Sequence, residues 1–150
     1  MNEEMNNGVT RVYIAGPMGG YEDFNRPMFN KVEKAILLNP EMVTGPSTKS
    51  LEVINPVKID AAFGLSGSIT EDNIHLWKPT LGRINELSVS LCDYIVMLPG
   101  WEKSAGARHE AAVAERYGLV SFIWSDNPST PWVNWVGSLN RLLAQTREGI

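Results

Sequence analysis

Between Asp93 and Leu98 the chain reads Asp-Tyr-Ile-Val-Met-Leu and then turns at Pro99-Gly100. A strand this apolar has no face to offer water, so it needs cover on both sides, as in a parallel sheet between helices. The neighbouring segments fit that demand. Arg11-Val-Tyr-Ile-Ala15 is a short strand rich in Val, Tyr and Ile that ends at Gly16-Pro17, and Met18 to Asp23 follows as a flexible loop. Asn25 is read as the cap of a helix that accepts Pro27 in its first turn. That helix carries Phe29, Val32, Ala35 and Ile36 at helical spacing and stops at Asn39-Pro40. A second strand, Leu51 to Ile54, closes at Asn55-Pro56. Val57 to Lys78 supports at most short helical turns, and an insertion of this kind often borders a site.

Pro79 is expected to open a second long helix, with Leu81, Ile84, Leu87, Ser88 and Leu91 on its inward face. After Pro99-Gly100, a helix from Ser104 to Gly118 leads into a strand from Leu119 to Trp124. A last helix is expected from about Pro131 to Thr146, after a Ser129-Thr130 cap signal. The alternation predicts an α/β fold: a three-layer α/β/α sandwich around a mainly parallel, Rossmann-like (flavodoxin-like) sheet of about five strands. Ligands of such sheets bind at the carboxyl ends of the strands.

A chain of 150 residues suits one domain, 1–150, with residues 1–10 expected to be flexible. The formal charge of -4 argues against a nucleic-acid polymer, which needs clustered Lys and Arg, but leaves a small phosphate ligand open. A lone Cys92 excludes an internal disulfide and a multi-cysteine metal site, and fits a reducing cytoplasm. No apolar run approaches the roughly 20 residues that span a bilayer, so no membrane role is expected. His75 and His109 stand isolated, and neither metal nor cofactor is expected.

The chemistry-bearing residue is Glu110. Projected at about 100° per residue, Ala107, Ala111, Val113, Ala114 and Tyr117 form one apolar arc, opposite Arg108, His109, Glu115 and Arg116. Glu110 falls inside the apolar arc. A carboxylate facing a core is costly unless its lone pairs find donors. It either makes a structural hydrogen bond at the rim of the core or it performs chemistry.

Two segments then carry a resemblance. Val12-Tyr-Ile-Ala-Gly-Pro-Met18 with its Gly-Gly and Glu-Asp loop, and Leu98-Pro-Gly-Trp-Glu-Lys-Ser-Ala-Gly-Ala-Arg-His-Glu110, resemble the signatures of the nucleoside 2-deoxyribosyltransferase-like superfamily. They are most similar to its small bacterial and phage subfamily, mostly of unassigned function and related to the deoxynucleoside 5′-monophosphate N-glycosidases. The similarity runs from about Arg11 to Phe122 and is weakest between Met42 and Lys78. It implies that Glu110 attacks C1′ of a 2-deoxyribosyl group and that Tyr13 positions it. The nucleophile is then expected to stay ionised, favoured by its helix and by the Tyr13 hydroxyl. Without the resemblance, Tyr13 reads as an ordinary strand aromatic.

Ser104, six residues before Glu110, matches the serine that contacts the 5′-phosphate in the nucleotide-hydrolysing branch. It is equally a good helix N-cap. Gly106 and the stretch Gly16, Pro17, Met18, Gly19 and Gly20 can present backbone N–H groups to phosphate or sugar. Many relatives carry an aspartate where this chain has Asn85, and an amide cannot supply a proton. Asn85, at the edge of its helix stripe, can still hold a sugar hydroxyl or a base edge. Trp101 can stack on a base or pack on a neighbouring helix or subunit. Trp124, Trp132 and Trp135 read as core or interface residues, and Cys92 as a small buried hydrophobe.

The resemblance implies cleavage or transfer of the N-glycosidic bond of a 2′-deoxynucleoside or its 5′-monophosphate, through a covalent glycosyl-Glu110 intermediate, in a homodimer or higher homo-oligomer. The alternatives are a catalytically silent nucleotide-binding protein and a glycohydrolase of another ribosylated molecule such as NAD.

Overall fold

The computed structural model describes residues 8–44, 50–59, 69–70, 72–125 and 132–135. Four strands run parallel: β1 (Val9–Ala15), β2 (Ser50–Ile54), β3 (Tyr94–Met97) and β4 (Val120–Trp124). The three long helices are α1 (Arg26–Leu38), α2 (Ile74–Ser90) and α3 (Ala105–Arg116). A fifth strand, β5 (Trp132–Trp135), joins the edge antiparallel to β4. The sheet order is β2-β1-β3-β4-β5. Four strands are therefore parallel, and the fifth, at the edge, is antiparallel.

From β1 the chain crosses to β2 on one side, then returns to β3 on the other side of β1. A reversal of this kind opens a crevice beyond the carboxyl ends of the two central strands. Successive side chains of a strand face opposite ways, and the core divides accordingly. Tyr13, Ala15, Ile95 and Met97 face α3 and the end of α2, packing with Ala107, Ala111, Ala114 and Val89. Val12, Ile14, Val96 and Leu98 face the other way and pack with Phe29, Val32 and Ile36 of α1. Helices thus cover both faces of the sheet. No helix of the described residues is long and apolar enough to cross a membrane.

Several expectations change. The last helix begins where β5 lies instead, and 136–146 fall outside the described residues, as do the side chains of Trp132 and Trp135. Val9 and Thr10, expected to be flexible, pair with Ser50 and Leu51 in the sheet. Pro79 lies inside α2, which starts five residues earlier. The buried face of α2 is Asn85 and Val89, while Leu87 and Leu91 are 63% and 61% exposed. Tyr117 lies past the last turn of α3 and is 58% exposed, outside the buried arc. Asn25 does not cap α1 with its side chain, whose amide donates to the Pro17 carbonyl at 2.9 Å instead.

Candidate active site

Three loops at the carboxyl ends of β1, β2 and β3 surround a cavity of about 760 Å³, the size class of small-molecule sites. The first is Gly16 to Tyr21 with Phe24, the second is Pro56-Val57, and the third is Gly100 and Lys103 to Ala107. Asn85 and Lys78 of α2 and Glu110 of α3 complete the wall.

The first loop is held by tight contacts. Gly16 lies so near Leu98 that a Cβ there would sit 2.7 Å from the Leu98 Cβ, so only glycine lets the two strand ends approach. Asp23, Phe24 and Asn25 then take left-handed backbone angles in succession, with φ of 50°, 55° and 62°. Such angles cost about 1–2 kcal/mol each for non-glycine residues. The Asn25 amide on Pro17 and the Phe24 N–H on the Tyr21 carbonyl at 3.1 Å hold the turn. The result places Phe24 on the cavity wall.

The second loop is fixed by polar contacts. Arg26 donates to the Val57 carbonyl at 2.7 Å, and Asn55 ties Val57 N–H to Asn30 and Glu33 of α1. Sequence reasoning missed Arg26. A signal was present, because a cation in the first turn of a helix opposes the helix dipole and so asks for another reason to be there.

Ser104 caps α3, its hydroxyl oxygen accepting the Ala107 N–H at 3.2 Å. Its own hydrogen remains to be donated, so capping and ligand contact are compatible. The first turn of a helix leaves N–H groups without intrahelical partners, and two residues of that turn, Ala105 and Gly106, line the cavity.

Glu110 is the central group. It is 5% exposed, and Tyr13, itself fully buried on β1, donates its hydroxyl to Glu110 Oε2. The small side chains of Ala107, Ala111 and Ala114 let α3 lie close to the sheet at this level. Burial pushes the Glu110 carboxyl up to about 8, with the Tyr13 hydrogen bond pulling the other way. Burial thus opposes the ionised state expected of the nucleophile, while the Tyr13 hydrogen bond favours it as expected. Desolvation outweighs the single donor, and Glu110 lies beyond the first helical turn, where the dipole is felt most. Tyr13 is held well above its ordinary value, first by burial and then by the Glu110 charge and hydrogen bond.

The cavity thus gathers Glu110, Asn85, Ser104, Gly106 and the stretch Gly16 to Gly20, with Tyr13 directly behind Glu110. Trp101 is the exception. It is 3% exposed and packed with Ala107, Ala111 and Met97, away from the cavity wall, so it is a core residue and not a stacking platform. His109 is not isolated, since its Nε2 lies 3.1 Å from Glu86 Oε2. Cys92 is buried, and burial pushes its thiol up to about 12, as befits an inert core residue. Among the described residues no three His, Cys, Asp or Glu side chains converge as a metal site.

Fold and site together define a Rossmann-like α/β domain with a tyrosine-held carboxyl at the crevice of its sheet. The chain belongs to the family described as Domain of unknown function (DUF4406), whose model matches residues 10–122. No curated protein matches it.

Proposed function

We propose that this protein cleaves or transfers the N-glycosidic bond of a 2′-deoxynucleoside 5′-monophosphate, with Glu110 as nucleophile, in line with its resemblance to the nucleoside 2-deoxyribosyltransferase-like superfamily. The observation that carries the reading is the Glu110 carboxyl itself: buried, on a cavity wall, and gripped through one oxygen by Tyr13. Such an arrangement fixes the direction of the second oxygen.

In the first step the Glu110 carboxylate bonds to C1′. The C1′–N bond breaks, its electron pair leaves with the base, and the base takes a proton from water. In the second step water attacks C1′ and frees the carboxylate, or a second base takes the sugar. Tyr13 is the positioning residue. The nucleotide, rather than the nucleoside, suits a cavity whose described wall carries Lys78 and Lys103, with Arg26 paired to Asp23 at 3.5 Å, beside Glu110 as its one lining acid. Ser104 and the Ala105 and Gly106 N–H groups add donors for phosphate oxygens.

A second reading, a nucleotide-binding protein without turnover, is favoured by two observations. Burial works against the ionised form of Glu110 that attack requires, and the other polar residue on that wall, Asn85, is an amide and not an acid. Incubation with the deoxynucleoside 5′-monophosphates, their nucleosides and NAD, with free base measured by chromatography, separates the readings. Base release that disappears in Glu110→Ala, together with a glycosylated Glu110 peptide in the mass spectrum, supports the enzyme. Binding without release at pH 8.5 removes it in favour of the second reading.

A further inference from the structure

Among the described residues, Asn85 Oδ1 is the buried side-chain atom that finds no hydrogen-bond partner. Asn85 is 9% exposed and stands on the cavity wall with Glu110. An unpaired buried acceptor is costly, and a turn of the amide toward the cavity, where a ligand supplies a donor, relieves the cost. The placement is also braced. Glu86 and His109, the residues next to Asn85 and Glu110, meet at 3.1 Å and join α2 to α3 at this level. The amide and the carboxyl therefore share one wall, one on each helix.

We propose that Asn85 reads the departing base, selecting adenine over guanine among purines and thymine or uracil over cytosine among pyrimidines. The inference rests on the glycosidic reading above and adds its substrate class. A base leaves with the electron pair of its C1′–N bond, and the charge spreads to N7 of a purine and O2 of a pyrimidine. A donor at those atoms stabilises the leaving group without transferring a proton, which is what an amide N–H can do. The same amide then offers its oxygen to the adjacent position. In adenine that position is the 6-amino group, the two-point pairing by which asparagine reads adenine in nucleic acids. In thymine and uracil it is the N3–H. Guanine presents O6 there and cytosine N3, both acceptors, and each sets lone pair against lone pair.

The test uses equilibrium binding of the four common deoxynucleoside 5′-monophosphates to the full-length Glu110→Gln protein, which removes the nucleophile and keeps its shape. Two-point pairing of this kind discriminates by roughly ten- to a hundredfold. The expected result is that ratio for dAMP over dGMP and for dTMP over dCMP, collapsing to within about twofold in Glu110→Gln/Asn85→Leu. Equal binding of the four nucleotides to Glu110→Gln overturns the inference, as does discrimination that survives Asn85→Leu. The Glu110→Gln ratios decide the matter even where the double variant does not fold. Base release by the unaltered protein is scored separately: release without discrimination sinks this inference alone, and discrimination without release sinks the glycosidic reading.

Discussion

Glu110 is held in a state that folding and the proposed chemistry value differently. Its carboxyl is ionised above about 4.5 in the unfolded chain but only above about 8 in the folded one. The folded state therefore favours the proton. The associated stability is fully present below pH 4.5 and is lost as pH rises through 8. Glu110→Gln keeps the Tyr13 hydrogen bond and does not titrate. Its advantage over the unaltered protein should grow between pH 4.5 and 8 and reach a few kcal/mol, seen as a rise in urea midpoint at pH 8.5 but not at pH 4.5. The proposed glycosyl transfer needs the opposite form. kcat/KM should rise with pH to a plateau, with an apparent midpoint near 8 in the free protein. Tyr13→Phe deletes the one contact that lowers this midpoint, so its profile should move to higher pH. A profile with the same midpoint in Tyr13→Phe would show that Tyr13 does not hold the reacting carboxyl.

The start of α3 brings a structural role and a proposed binding role onto one side chain, and the two can be separated. Ser104 caps the helix, and replacing a serine cap by alanine costs about 0.5–2 kcal/mol, whereas glycine costs only a few tenths. Ser104→Gly should therefore melt close to the unaltered protein while binding deoxynucleoside 5′-monophosphates about tenfold less well, the worth of one charge-assisted hydrogen bond. Ser104→Ala should lose both. Titration calorimetry beside thermal melts reads the pair, and unchanged affinity in Ser104→Gly would leave Ser104 a cap alone. This helix was legible because its signals are local: a cap serine, a glycine stop at Gly118 with φ of 74°, and an apolar arc that showed Glu110 turned inward. In α2 the same reasoning failed. Leucine is its commonest apolar residue, yet what decides its buried face is the fit against α3 and the sheet, where Asn85 and Val89 face inward and Leu87 stays out. Trp101 went astray similarly, since a short helical turn folds it under α3, and β5 was hidden behind helix-start residues that an edge strand tolerates. Of the site, Glu110, Tyr13, Ser104 and the Gly16 to Gly20 loop could be read ahead. Arg26, Phe24 and Val57 could not, because they meet through contacts between segments distant in sequence or through left-handed backbone that no local pattern announces.

Seen as one body, the chain is acidic, with a formal charge of -4, yet the described wall of its crevice carries Lys78 and Lys103, besides Arg26 in its pair with Asp23, against one buried acid. A small anion responds to the local field inside a low-dielectric cleft more than to the distant net charge, which salt screens beyond about 8 Å under physiological conditions. The loops that form the cleft come from three different strand ends, so a ligand bridging them ties β1, β2 and β3 together in the folded state alone. Mass action then turns binding into stability: about 2.7 kcal/mol at a hundredfold excess over Kd, or several degrees in Tm for a domain of this size. A deoxynucleoside 5′-monophosphate should raise Tm more than the same concentration of its nucleoside, and the difference should shrink with added salt and in Lys103→Ala. The measurement is a thermal melt of Glu110→Gln, in which the ligand is not consumed. Equal shifts from nucleoside and nucleotide, at low and high salt alike, would remove the 5′-phosphate from the proposed substrate and leave the cations of the cleft as scaffold only.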